Sequence, residues 1–240
     1  MLEDLALLGF GPEGWGRALL GAALTTVAVS VCAFLTGSVL GTLLAWAKLG
    51  GGPWLRRIAD VYGVVLRGVP DLLVIYLFYF GGRQVVAALA RLAGHDGPVD
   101  VSGFAAGALA IGLISAAGQA EVLRGAYGAI PGGTLEAGLV GGMGRWTLFH
   151  RVIVPQGTVT ALPGLGNQWQ SVVKESALVS VTGLVETMRA VTIASGSTEL
   201  PFLFYAAGAG IFLAITTLSG FVFRTAEWRV RRWAPSQGRA

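Results

Sequence analysis

Ionisable side chains stand inside otherwise apolar stretches of this chain. One carboxylate, Asp71, directly follows a proline. Another, Glu121, lies among small apolar residues, and an adjacent pair, Lys174 and Glu175, interrupts a third stretch. In a membrane each such group costs roughly 2.5 to 3.5 kcal/mol on insertion scales, so each is a candidate functional group. Their chemistry is charge-assisted hydrogen bonding, either with a charged solute or with another ionised side chain.

Seven polar residues are candidates for a solute path: Asp71, Glu121, Gln170, Lys174, Glu175, Ser176 and Ser180. Glu121 and Arg124 are three apart and share a helical face, so we favour a structural ion pair for them. The polar residues from Lys174 to Ser180 have an equal alternative, which is a solvated face near the outer end of a span.

Asp71 stands beside a predicted bend, because Pro70 interrupts helical hydrogen bonding. A carboxylate there is suited to a guanidinium, ammonium or imidazolium group of a solute. The alternative is that Asp71 pairs with Arg67, four residues earlier, or with a cation of another chain, and serves only packing or gating.

The composition places these groups in a membrane protein. Of the 240 residues, 54% are hydrophobic and 12% are charged, and the mean hydropathy is +0.68. Apolar stretches near the roughly 20 residues that cross a bilayer recur along the chain, and in lipid they must be helical. We expect one all-α integral membrane domain over residues 1–240, with spans at about 17–47, 58–82, 101–129, 157–181 and 201–223.

The cations predict an orientation, since Lys and Arg in short loops stay in the cytoplasm. In a five-span arrangement one side of the membrane receives most of them: Lys48, Arg56, Arg57, Arg145, Arg151, Arg224, Arg229, Arg231 and Arg232. The N-terminus is therefore predicted outside and the C-terminus in the cytoplasm.

Other classes of function find little support. The lone cysteine, Cys32, cannot form an internal disulfide, and His95 and His150 lack metal-ligand spacing. No basic stripe with interleaved aromatics indicates nucleic-acid binding, and the first residues do not resemble a signal peptide. The chain contains no P-loop, so it is not expected to bind ATP in the usual way. We expect no metal or cofactor and no enzyme activity in this chain.

A polar, glycine-rich segment, "EAGLVGGMGRWTLFHRVIVP" from Glu136 to Pro155, separates the third and fourth predicted spans. Its pattern allows two short helical pieces split by "GGMG", and the predicted orientation makes it cytoplasmic. It is either a plain linker between spans or a surface that another protein pushes. We call residues 132–155 the signature loop.

The spacing in this loop resembles the signature of bacterial binding-protein-dependent ABC importer permeases: Glu-Ala-Ala, three residues, Gly, nine residues, Ile-x-Leu-Pro. The matching positions are Glu136, Ala137, Gly142 and Pro155. Gly138 replaces the second alanine, and valines replace the isoleucine and leucine. The stretches "RGVPDLLVIYLFYFGG", "EVLRGAYGAIPGG" and "ALPGLGNQWQSVVKESALVSVTGL" are also similar to the polar amino-acid branch, particularly to permeases for histidine, basic amino acids and opines.

The resemblance implies a MetI-like core of five transmembrane helices in the bacterial inner membrane. It implies a coupling helix in the signature loop, with Glu136, Ala137, Gly138, Gly142 and Pro155 contacting a cytoplasmic ATPase dimer that binds the ATP. Further implied partners are a second permease, identical or homologous, and an extracytoplasmic substrate-binding protein. In that family the region around Lys174 and Glu175 lines the path near the gate. The alternative function is an ion-coupled secondary transporter of a small polar solute, which would need no ATPase.

Overall fold

The computed structural model describes residues 2–92 and 102–233, and every regular element in these ranges is a helix. The helices are α1 (Leu2–Ala6), α2 (Gly16–Gly50), α3 (Pro53–Gly68), α4 (Asp71–Tyr76), α5 (Gly82–Leu92), α6 (Gly103–Gly128), α7 (Gly132–Val140), α8 (Arg145–Leu148), α9 (Val154–Glu175), α10 (Thr187–Thr198) and α11 (Pro201–Trp233). His95 lies outside the described residues.

Four helical stretches in the described ranges are long and apolar enough to cross a membrane: Gly16–Gly50, Asp71–Leu89, Gly103–Gly128 and Pro201–Arg232. A fifth candidate is a bent pair, Arg145–Thr182 with Thr187–Thr198, whose two parts meet at 54°. A wider π turn, Leu77–Gly81, joins α4 to α5, and a 3-10 segment, Ser176–Thr182, extends α9.

The stretch predicted as the second span, 58–82, is divided in the structure. Helix α3 ends at Gly68, and Val69 is extended (φ −95°, ψ 135°). Pro70 has no N–H and disfavours helical backbone in the residue before it, so the helix restarts only at Asp71. Apolar residues continue on both sides of this break, so hydropathy averaged along the chain does not reveal it.

The core lies between α2 and α6, which pack closely. Gly37 and Gly41 of α2 leave room for Gln119: a Cβ atom at either glycine would lie 2.8 to 3.0 Å from it. The Gln119 side chain is fully buried. It accepts a hydrogen bond from Ser38 Oγ (2.8 Å) and donates to Ser115 Oγ (2.9 Å). Small residues therefore allow α2 and α6 to approach closely, and the hydrogen-bonded side-chain amide of Gln119 fixes their relative position.

A second cluster anchors α10, which lies between the fourth and fifth predicted spans. Ala190, Val191 and Ala194 of α10 are buried against Leu19 of α2 and Phe204 of α11. Small apolar residues, with Thr187 at the first turn, thus form the buried face of α10.

Glu186 fixes the start of α10 and is fully buried. Its carboxylate accepts hydrogen bonds from the backbone N–H groups of Met188 (2.9 Å) and Arg189 (2.8 Å). From α2, Thr26 Oγ1 accepts a hydrogen bond from the Thr187 N–H at 3.0 Å and lies 3.4 Å from the Glu186 carboxylate. This cap therefore also joins α10 to α2.

Candidate solute path and signature loop

Two carboxylates approach each other where α4 begins and α9 ends. Asp71 is the first residue of α4, which packs on the 3-10 segment that follows Glu175. Asp71 is near enough to act on the charge of Glu175, and Lys174, the residue before Glu175, acts on it with the opposite sign. Glu175 Oε2 is buried and has no hydrogen-bond partner in the described part of the chain. The pair can hold a cation, which would relieve the repulsion and satisfy the free oxygen.

Arg67 does not neutralise this pair. Its Nε donates to the Gly63 carbonyl at 3.0 Å, within its own helix. Across the described ranges no salt bridge joins Arg67 to Asp71, so the intrachain pairing considered from the sequence is absent.

The other polar residues after Asn167 contribute unequally. Lys174 is exposed and lies near Glu175. Ser176 is buried and donates to the Val173 carbonyl at 2.7 Å, so its hydroxyl proton is already used. Ser180 is half-buried. The structure therefore places Asp71 and Lys174 near Glu175, and the Ser176 hydroxyl bonds within its own helical segment.

Gln170 borders a polar cavity of about 440 Å³ between α9 and α11. The lining residues are Pro163, Gly166, Asn167, Trp169, Gln170, Thr216, Thr217, Gly220, Phe223, Arg224 and Glu227. The Trp169 ring packs edge-on against Phe34, with ring centroids 5.6 Å apart. Gln170 is thus placed in a cavity rather than beside the two carboxylates.

Glu121 belongs to a separate charged network. Arg124 Nε donates to it at 2.8 Å, which is the ion pair expected from their spacing. Lys48 also donates to Glu121 (2.6 Å) and forms a salt bridge with Asp60 (3.1 Å). The network joins α2, α3 and α6, and Lys48 is nearly buried, with a side-chain exposure of 7%. The sequence had placed Lys48 in a loop, but α2 continues to Gly50.

The signature loop forms two helical pieces around a turn. Helix α7 ends at Val140 and α8 begins at Arg145. Gly142 in the turn has φ +79°, a left-handed conformation that glycine adopts without steric cost. Gly138 is buried against Leu148, whereas Glu136 is exposed.

Apolar side chains of this loop are exposed. Val140 is 90% exposed and Trp146 is 75% exposed. Ala137 and Pro155 are also exposed, and Pro155 lies in the first turn of α9. An exposed apolar surface on a short helical hairpin is typical of a protein contact.

The family model described as "Binding-protein-dependent transport system inner membrane component" matches residues 17–232. The octopine transport system permease protein OccQ of Rhizobium meliloti is 52% identical, covering 95% of this chain and 96% of that one. The nopaline transport system permease protein NocQ of Agrobacterium fabrum is 43% identical, covering 98% of this chain and 100% of that one. The histidine/lysine/arginine/ornithine transport system permease protein HisQ of Escherichia coli is 33% identical, covering 90% of this chain and 94% of that one.

Solved structures agree with these relatives. A chain of an amino acid ABC transporter crystallised with histidines has a TM-score of 0.76 at 27% identity, covering 90% of this chain and 95% of that chain. A chain of the MetNI methionine ABC transporter has a TM-score of 0.71 at 16% identity, covering 90% and 97%, and shows the fold alone. The predicted all-helical, MetI-like permease fold is confirmed. This chain belongs to the family of inner-membrane permease components of binding-protein-dependent ABC importers.

Proposed function

We propose that this permease imports cationic amino acids or opines, and that Asp71 and Glu175 receive the cationic end of the solute. The observation that carries the proposal is the carboxylate pair with a buried oxygen that has no partner in the described chain. Relatives named for octopine, nopaline, arginine and the histidine group support this solute class.

A cation suits this position on electrostatic grounds. Two carboxylates repel each other more strongly in a membrane interior than in water, because the low dielectric screens them less. A guanidinium offers several donors in one plane and can bind two carboxylates at once. A neutral solute would leave the repulsion in place.

Membership of the ABC importer family supports transport driven by ATP, and because this chain lacks a P-loop we place the ATP on a separate ATPase dimer. We place the contact with that ATPase at the exposed signature loop, through Glu136, Ala137, Gly142 and Pro155, with Gly138 supporting the hairpin from within. A second permease, identical or homologous, and an extracytoplasmic binding protein complete the importer. A secondary transporter would instead keep working when ATP is depleted and the ion gradient is clamped.

The cation bias supports an outer N-terminus and a cytoplasmic C-terminus in the bacterial inner membrane. A reporter fused after Ala240 is expected to give a cytoplasmic signal. A reporter inserted near Gly94, which lies outside the described residues, is expected to give an outside signal. Reversed signals would contradict the orientation.

The solute proposal is tested with Asp71→Asn and Glu175→Gln in the assembled transporter. We expect the KM for arginine uptake to rise about 10- to 100-fold, because a hydrogen bond to a charged group contributes roughly 1.5 to 3 kcal/mol. Uptake of a neutral amino acid, where it is measurable, should not fall. Glu13→Gln, an exposed carboxylate near the N-terminus, is the matched control. Equal loss for every solute, or no loss, would show that Asp71 and Glu175 are structural.

A further inference from the structure

The end of α11 carries arginine and aromatic side chains on one face. Phe221, Arg224, Trp228, Arg231 and Arg232 fall within an arc of about 100° at 100° per residue. All five side chains are exposed. We call these five residues the basic-aromatic stripe, which becomes apparent only when the helix brings them onto one face.

Within the stripe, guanidinium groups lie over aromatic rings. The Arg232 guanidinium is 3.6 Å from the centroid of the Trp228 ring, and that of Arg224 is 4.5 Å from the Phe221 ring. The two rings keep more than half of their surface exposed, at 55% for Trp228 and 57% for Phe221. Each cation is therefore held beside a ring with its outer N–H groups free to bind an acceptor.

The stripe carries an excess of positive charge. Arg229 lies beside it, and Glu227 is the one carboxylate between Arg224 and Arg232. Across the described ranges none of these arginines forms a salt bridge with that glutamate or with another carboxylate. The surface is complementary to an anion.

The position along the helix favours a lipid over a protein as the anion. The apolar part of α11 runs from Pro201 to Phe223, about 34 Å at 1.5 Å per residue, close to the thickness of the hydrocarbon core of about 30 Å. Arg224 then stands at the boundary, and Arg231 lies about 10 Å further along. Long arginine side chains extend back toward the headgroups, and Trp is favoured at this depth.

We propose that the basic-aromatic stripe binds the phosphate group of an anionic phospholipid. The guanidinium groups donate paired hydrogen bonds to phosphate oxygens, as arginine does to phosphates in general. The rings of Phe221 and Trp228 contact the upper acyl chains and the glycerol region. This lipid site does not depend on which solute is transported.

The test uses the assembled transporter in nanodiscs of equal parts phosphatidylcholine and phosphatidylglycerol. After extraction with detergent, mass spectrometry counts the lipids of each kind that stay bound. The variant Arg224→Gln/Arg231→Gln/Arg232→Gln is compared with Arg57→Gln/Arg145→Gln/Arg151→Gln, which removes the same charge from exposed positions elsewhere.

We expect the stripe variant to lose about fivefold in retained phosphatidylglycerol for each arginine removed, with phosphatidylcholine unchanged. The control variant should keep its phosphatidylglycerol. Trp228→Leu should weaken retention without any change of charge, and circular dichroism should show that each variant keeps its helices.

Three results would overturn the proposal. Equal loss in both triple variants would indicate only nonspecific charge attraction. Loss of the ATPase or of the second permease from the complex, with lipid retention unchanged, would show that a protein covers the stripe. Displacement of phosphatidylglycerol by millimolar inorganic phosphate would show a site for free anions.

Discussion

Gly138 and Leu148 share one space between the two helical pieces of the signature loop: a Cβ atom at residue 138 would lie 2.5 Å from Leu148 Cδ1. Leu148 is 7% exposed and is the buried apolar residue of α8. The replacement of the usual alanine by Gly138 therefore has a packing cause in this chain. Leu148 fills the volume that an alanine side chain would need.

We expect Gly138→Val to push α7 and α8 apart and to cost about 1 to 3 kcal/mol, the usual range for overpacking. Leu148→Ala in the same chain should recover part of this loss. Thermal unfolding of the complex and ATP-driven uptake measure both effects. Gly138→Val with unchanged stability and uptake would show that the two helical pieces are not packed together.

Gly142 holds the turn between these pieces with a left-handed backbone. Gly142→Val should leave membrane insertion intact but abolish ATP-driven transport or binding of the ATPase, because valine strongly disfavours this conformation. Gly144→Val is the matched control, since Gly144 has an extended backbone (φ −64°, ψ 156°) and open space around it.

Insertion is measured by membrane fractionation and ATPase binding by co-purification. If Gly142→Val reduces insertion while the inserted fraction stays coupled, the loop maintains the fold and does not transmit force. Equal effects of both valine substitutions would show that bulk in the turn matters rather than backbone conformation.

Much of the fold followed from local patterns. Helix α2 covers the predicted first span because that apolar run is uninterrupted. Glu121 and Arg124 pair as expected because three residues separate them on one helix. The break predicted at Pro70 is present between α3 and α4, but the full separation of α3 from the second span was not predicted, because apolar residues continue on both sides of the proline.

Contacts between distant segments could not be read from the sequence. Lys48 and Glu121 are 73 residues apart, and nothing local predicts that their side chains meet at 2.6 Å. The approach of Asp71 to Glu175 likewise depends on how α4 packs against the 3-10 segment that follows α9. Glu186 is not among the predicted site residues, because a sequence does not show whether a carboxylate is buried.

The charged network at Lys48 predicts unequal effects of two substitutions. Lys48→Met leaves Asp60 and Glu121 without their shared cation, and we expect a loss of up to about 3 kcal/mol, the low end for breaking a buried pair. Asp60→Asn should cost less than about 1 kcal/mol, because the Asp60 side chain is 56% exposed and exposed pairs contribute little. Thermal unfolding in detergent compares them. Equal losses would show that the network does not depend on the burial of Lys48.

Substitutions of two adjacent threonines, Thr25 and Thr26, test the link between α10 and α2. Thr26 is buried and accepts the Thr187 N–H, whereas Thr25 Oγ1, within the described residues, bonds only to the Gly21 carbonyl of its own helix. Thr26→Val keeps the shape of the side chain but leaves the Thr187 N–H unsatisfied, at an expected cost of about 1 to 3 kcal/mol. Thr25→Val should stay within about 0.5 kcal/mol.

Hydrogen exchange gives the decisive measurement, because it follows α10 separately from the rest of the chain. In Thr26→Val the amide of Thr187 should exchange faster, and in Glu186→Ala the amides of Met188 and Arg189 should exchange faster, because each of these groups loses its buried acceptor. The amides of α6 should keep their protection, because α6 packs on α2 through Gly37, Gly41 and Gln119 rather than through Thr26. Uniformly faster exchange in both helices would mean that Glu186 supports the whole fold, and unchanged exchange in α10 would mean that its apolar face alone holds it in place.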